Sequence, residues 1–373
     1  MKLRHAAALG ALWVAGCSSP SGPKPAELQP LEHEARVRSL WSASAGRAER
    51  FVFAPALADG SVFAAARDGS VTRLDAASGR TQWSASAGVR LSAGVGTDGR
   101  IVAVASEEGD VVALDAASGE RRWTTRVSSE VIAAPAVGGE LVLVRSIDNR
   151  LFAFGAQDGK RRWVYQRPPS SLIIRSPAGV TIEGDTAFAG FAGGKLAAIS
   201  LANGGVRWEA TVAIPKGGTE LERVTDVVGD PAVQGREVCA ATYQGRVGCY
   251  EAATGRQLWA RDISSLTGVS VDARYAFVAD DRGGLQAFDR SNGRSVWKQD
   301  KLAHRQLSLP QAVGNVVAVG DFEGYVHFLA RDTGAFIARY ATGDGAVRAA
   351  PKPLPGGALL IETQNGALHA LAL

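Results

Sequence analysis

LDAASGRTQW (residues 74–83) returns almost unchanged forty residues later as LDAASGERRW (114–123). A fixed period of a few tens of residues sets architecture before local propensity does. The same pattern recurs as DNRLFAFGAQDGKRRW (148–163), GGKLAAISLANGGVRW (193–208), QGRVGCYEAATGRQLW (244–259) and RGGLQAFDRSNGRSVW (282–297). EGYVHFLARDTGAFIA (323–338) follows with Ala338 in place of the tryptophan, and NGALHALAL (365–373) is cut short, which makes eight copies.

Each copy opens on Gly69, Gly109, Asn149, Gly194, Gly245, Gly283, Gly324 or Gly366, residue types that tolerate positive φ at a tight turn. About ten residues later Gly79, Gly119, Gly159, Gly204, Gly255, Gly293 and Gly334 mark a second turn. Apolar and polar residues alternate between the turns, and β-branched runs such as IVAVAS and LVLVRS precede the copies. Each copy therefore reads as a four-stranded antiparallel meander. Eight meanders at this spacing predict an all-β fold, an eight-bladed β-propeller. The last copy stops after three strands, while residues 36–43 (RVRSLWSA) supply a fourth strand without its three predecessors. Pairing the two closes the ring and leaves no open sheet edge. Trp41, Trp83, Trp123, Trp163, Trp208, Trp259 and Trp297 share one repeat position, so inter-blade packing is expected of them.

The N-terminus reads differently. MKLRH is a positive n-region, AAALGALWVA a short apolar run, and Val14-Ala15-Gly16-Cys17 a lipobox-like end. Residues 1–16 are thus expected to be a lipoprotein signal peptide and Cys17 the lipidated residue. By resemblance to bacterial lipoproteins, Ser18 points to the outer membrane. Residues 17–35, rich in Pro and Ser, are expected to be a semi-rigid tether that packs against nothing. Residues 36–373 form the propeller, held on the periplasmic side. The formal charge of +4 falls to +2 once Lys2 and Arg4 leave, and nothing in it calls for nucleic acid.

Cys239 and Cys249 flank one hairpin. A two-residue turn would leave them one register step out of line, so a disulfide and two buried thiols stay open as readings. The sequence holds no phosphate loop, CxxC pair or zinc spacing, and no catalytic residue, metal or cofactor is expected. Asp75, Asp115 and Asp289 recur before turns, as capping residues do.

Differences between blades are the functional signal. A proline opens most inner strands: Pro55, Pro135, Pro177, Pro231, Pro310 and Pro351. From the tryptophan to that proline takes 12 residues after Trp123 and 13 after Trp297, but 23 after Trp208. The preceding connection, VYQRPPSSLIIRS (164–176), sets three large apolar residues beside Arg175. Equivalent connections project from one face, so the two should form one patch with the composition of a protein-binding hot spot. The alternative is that Leu172, Ile173 and Ile174 begin a buried inner strand.

The lipobox, the spacer, the eight repeats, of the pyrroloquinoline-quinone type, and the closing strand together resemble the BamB family, propeller lipoproteins of the outer-membrane β-barrel assembly machinery. The resemblance implies a non-catalytic scaffold that docks on the POTRA domains of the central assembly subunit and meets unfolded outer-membrane protein clients. In that family an L-x-L-R stretch and a D-x-D stretch before the fourth and fifth blades make the contact. Leu172, Ile174 and Arg175 match the first. Asp226 matches the start of the second, Val228 replaces its other aspartate, and Asp230 stands two residues on. Two other readings are a quinoprotein-like dehydrogenase, which would want adjacent cysteines over its cofactor, and a propeller lipoprotein scaffold for a different envelope complex.

Overall fold

A computed structural model of the protein describes residues 22–32, 34–168, 170 and 172–373. Signal and lipidation expectations at residues 1–16 and Cys17 lie outside the described residues. Eight four-stranded antiparallel sheets form eight blades. Blades 1 to 7 cover residues 56–86, 91–126, 136–166, 180–211, 227–262, 270–299 and 311–341. Blade 8 joins Lys352–Pro353, Leu359–Glu362 and Ala367–Ala372 to the N-terminal strand Arg38–Ser44, which pairs antiparallel with Ala367–Ala372. This is the expected ring and the expected closure.

The middle strands are buried on both sides, as in Ile101–Ser106 (IVAVAS), whose residues are all inaccessible. Eight apolar clusters fill the ring, each at one junction between neighbouring blades. No blade can cover its own two faces, so each is stable only between neighbours. Fourth strands alternate exposed with half-buried residues, as in Arg121–Arg126.

The tryptophans act as clasps. Each fourth-strand indole lies on the turn between the third and fourth strands of the next blade, and its Nε1–H donates to a carbonyl there, from Trp41 to Ala76 through Trp297 to Arg331, at 2.5–3.1 Å. The turn glycine beneath has φ between 62° and 76°, and a Cβ on it would stand 2.5–2.9 Å from the ring. Ala338 breaks the series for a visible reason. The third and fourth strands of blade 8 come from opposite ends of the chain, so no turn stands there to receive an indole. Ala338 is buried in the apolar cluster between blades 7 and 8, against which Val37, Ile337 and Tyr340 pack.

Three expectations need correction. Proline directly precedes the inner strand at Pro55, Pro135, Pro310 and Pro351, but Pro177 lies three residues before Val180, and Pro231 sits inside Val227–Gln234 at a bulge between Val228 and Ala232. A bulge tolerates the missing N–H. The tether is not a free spacer, since Ala26 and Ala35 both donate to backbone carbonyls of the propeller. Cys239 and Cys249 are not out of line: their hairpin is centred on Gln244 (φ 48°), not on a two-residue turn, so they stand directly opposite, Cα atoms 4.0 Å apart, and form a disulfide buried in blade 5.

Candidate partner-docking face

Loops that follow each fourth strand emerge on one face of the ring, beside the turns between second and third strands. Residues 167–179 join Arg161–Gln166 of blade 3 to Val180–Glu183 of blade 4, and residues 212–226 join Val206–Thr211 to Val227–Gln234 of blade 5. Leu172, Ile173 and Ile174 lie outside any strand, and Leu172 and Ile173 are 40% and 37% exposed. The buried-strand alternative therefore fails.

The long loop is ordered by its own side chains. Glu222 accepts the Gly218 and Thr219 N–H groups, and Arg223 Nε donates to the Gly217 carbonyl at 3.1 Å. Those hydrogen bonds hold the Glu222 carboxyl below its ordinary value. Ile214 and Leu221 are thereby presented to solvent, 69% and 72% exposed. No repeat or motif singles out either residue, although the length of the insert marks their loop.

Asp226 ties the face together. Its Oδ2 accepts the Ile174 N–H at 2.7 Å, and its Oδ1 accepts the N–H of Gly193, in a turn of blade 4, at 3.1 Å. Only 6% of Asp226 is exposed. Burial pushes its carboxyl up, opposed by those two N–H groups and by the charge of Arg145. Asp230 clamps the other end of the same loop, accepting the Gly179 N–H at 2.8 Å. It keeps solvent contact, yet protein surrounds its carboxylate and raises its pKa; Lys352 and Arg145 pull the other way. Val228 is buried and offers nothing polar to this face. The two aspartates thus hold the loop in place, with Leu172 and Ile173 exposed on it.

Arg145 Nη1 donates to the Ala178 carbonyl at 2.9 Å, and desolvation lowers the guanidinium to about 10 despite Asp226 and Asp230. With Ser176 and Asp226 it lines a recess of about 20 Å³ under Ile173 and Ile174, room for about one water. Arg175 points the other way. Its side chain is half exposed, pairs with Glu130 from the loop between blades 2 and 3, and lies 5.9 Å from the ring centroid of Phe51, from the loop before blade 1. Leu172, Arg175 and Asp226 are therefore on one face, as expected. Glu130 and Phe51 are legible only through the rule that these loops share a face, whereas Arg145, on the strand Leu141–Ser146, carries no signal in the sequence. Among the described residues no group of three or more His, Cys, Asp or Glu side chains is placed to hold a metal ion.

Fold and face define an eight-bladed propeller whose departures from its own repeat gather in the loops of one side. The chain belongs to the family of the outer membrane protein assembly factor BamB, whose profile matches residues 38–89 and 67–299. A relative carrying that name in Bordetella pertussis is 44% identical over 364 residues, covering 96% of this chain and 94% of the relative. The crystal structure of BamB from Moraxella catarrhalis superposes with a TM-score of 0.83 at 25% identity, covering 91% of this chain and all of that one. A quinohemoprotein alcohol dehydrogenase from Pseudomonas putida has a TM-score of 0.70 at 14% identity, covering 90% of this chain and 76% of its own, a likeness of fold alone.

Proposed function

We propose that the protein is a non-catalytic scaffold in outer-membrane protein assembly, docking through Leu172, Ile174 and Arg175 onto the POTRA domains of the central assembly subunit. The observation that carries this reading is the latched loop: apolar side chains and an arginine held in the open by the buried carboxylate of Asp226 and the exposed residue Asp230, in a chain of this family. Ordering the loop in advance lowers the entropy lost on binding. Asp226 and Asp230 act as positioning residues behind that contact. Leu172 and Arg175 are the anchors, and Ile173, Ile214 and Leu221 widen the apolar surface around them. A lipid on Cys17 would keep this surface at the periplasmic side of the outer membrane, near client proteins on their way to insertion.

The test is capture of the isolated POTRA domains by the Arg175→Glu protein. Hot-spot arginines lose about 2 kcal/mol or more on truncation, and charge reversal adds repulsion wherever the partner is acidic. Capture should fall by about thirtyfold or more with the thermal melt unchanged. Undiminished capture would remove Arg175 from the contact. A lost fold would show that its pairing with Glu130 is structural.

A further inference from the structure

We propose that residues 26–32 and 34–35 are a fixed strap that brings the anchored end of the chain out on the docking face, so that this face beside blades 6 and 7 lies against a lipid surface. The inference rests on the reading that Cys17 carries lipid.

Contacts run in order along the strap. The Ala35 N–H donates to the Ile337 carbonyl at 2.9 Å, and Glu34 accepts the Arg339 N–H at 3.0 Å. Arg339 Nη1 donates to the Gln29 carbonyl at 3.3 Å. Leu28 packs against the apolar cluster between blades 6 and 7. The Ala26 N–H donates to the Ala303 carbonyl at 2.9 Å, and the Ala26 carbonyl accepts from Arg305 Nη1 at 3.0 Å. Ile337 is near the start of the last strand of blade 7, whereas Ala303 and Arg305 stand in the loop after the fourth strand of blade 6. The strap thus climbs the outside of blade 7 to the face that carries Leu172 and Arg175.

Its two arginine donors are themselves immobilised. Arg305, 2% exposed, donates through Nε to the buried Asp321 at 2.7 Å and pairs with Glu323. His327 donates its Nε2–H to Asp321 at 2.9 Å and accepts Arg339 Nε on Nδ1 at 3.3 Å. Such a buried network is rigid when every member is satisfied. The strap passes where Ala338 lacks an indole clasp, so it serves blade 7 as well as the anchor.

Length turns this into orientation. A tether free from Arg38 back to Cys17 would reach about 70 Å, but nine residues before Ala26 reach about 30 Å at most. The bilayer is then within range of the loop at 300–310, and the loop at 172–175 lies three blade junctions further round the ring, clear for a protein partner.

The experiment uses the full lipidated protein in phosphatidylethanolamine–phosphatidylglycerol vesicles containing headgroup spin-labelled lipid. A bimane is placed at Lys301→Cys, exposed on the docking face, or at Asn315→Cys, exposed at the opposite end of blade 7. Quenching several-fold stronger at 301 than at 315 is expected, with the contrast shrinking when a ten-residue Gly-Ser insert after Lys24 restores slack. Equal quenching, or stronger quenching at 315, would overturn the strap's orienting role. Failure to float with the vesicles would remove the anchor and the proposal together. POTRA capture by the same proteins reports separately on the docking loop.

Discussion

Asp226 and Ile174 stand fifty-two residues apart in the chain, and a carboxylate oxygen of one accepts the backbone N–H of the other at 2.7 Å. The same carboxylate holds Gly193, so a single buried side chain just before blade 5 ties the loop that enters blade 4 to a turn within blade 4. Asp226→Ala orphans two N–H groups, a cost of about 1–3 kcal/mol each where they stay buried. Amide exchange at Ile174 and Gly193 should quicken while the blade strands keep their protection. Capture of POTRA domains should drop although Asp226 is hardly exposed, and Asp226→Asn should recover part of both. Unchanged exchange at Ile174 would refute the latch.

Glu362 is buried at the second strand of blade 8, and neither carboxylate oxygen has a hydrogen-bond partner among the described residues. Burial raises its carboxyl well above the ordinary value. The folded state therefore holds a proton that the unfolded chain has already lost. Its contribution to stability is fully present below the unfolded pKa and disappears as pH rises through the folded one. Glu362→Leu should raise the melting temperature at pH 8 and have a smaller effect at pH 4. A pH-independent difference between the two proteins would contradict this assignment.

Trp163→Ala should cost about 3–5 kcal/mol, because it removes a buried indole and its Nε1 bond to the Leu201 carbonyl. Restoring the repeat at its one gap should not help. Ala338→Trp meets a packed site without a receiving turn and should destabilise, by about 1–3 kcal/mol or more. Denaturant titration of both proteins decides between a clasp and a mere preference for aromatics. A stabilised Ala338→Trp protein would sink the clasp.

The Cys239–Cys249 disulfide closes a short loop inside blade 5. Replacing both cysteines by alanine should lower stability by about 2–3 kcal/mol without opening the ring, since a loop of this size removes little chain entropy. Circular dichroism should keep its β signature while the melt shifts downward. Reduction of the native protein should be slow, because both sulfurs are buried.

Repeated features are legible in the sequence, and singular ones mostly are not. Gly204 and Trp163 can be placed from the amino-acid order alone because the same pair occurs at seven junctions, and repetition makes geometry countable. Leu172 and Arg175 stand out because their loop departs from the repeat. The position of Asp226 is legible but its work inside the protein is hidden, because a carboxylate seeking backbone N–H groups looks in sequence like one seeking a partner's cation. Residues 17–35 read as an unpacked spacer on composition. Proline and serine weaken self-packing, yet they do not prevent a segment from lying along an existing surface.

By itself the sequence determined the number of blades, the closure by residues 36–43 and the ring of tryptophans, since each follows from one unit that must match its own copies on either side. Tertiary structure alone decided which carboxylate latches Ile174, where Arg175 leans and where the strap lies. Those contacts join residues as distant as Glu34 and Arg339, and each occurs once, so no periodicity announces it. Such pairs depend on neighbour-to-neighbour stacking, which for Glu34 and Arg339 brings opposite ends of the chain together.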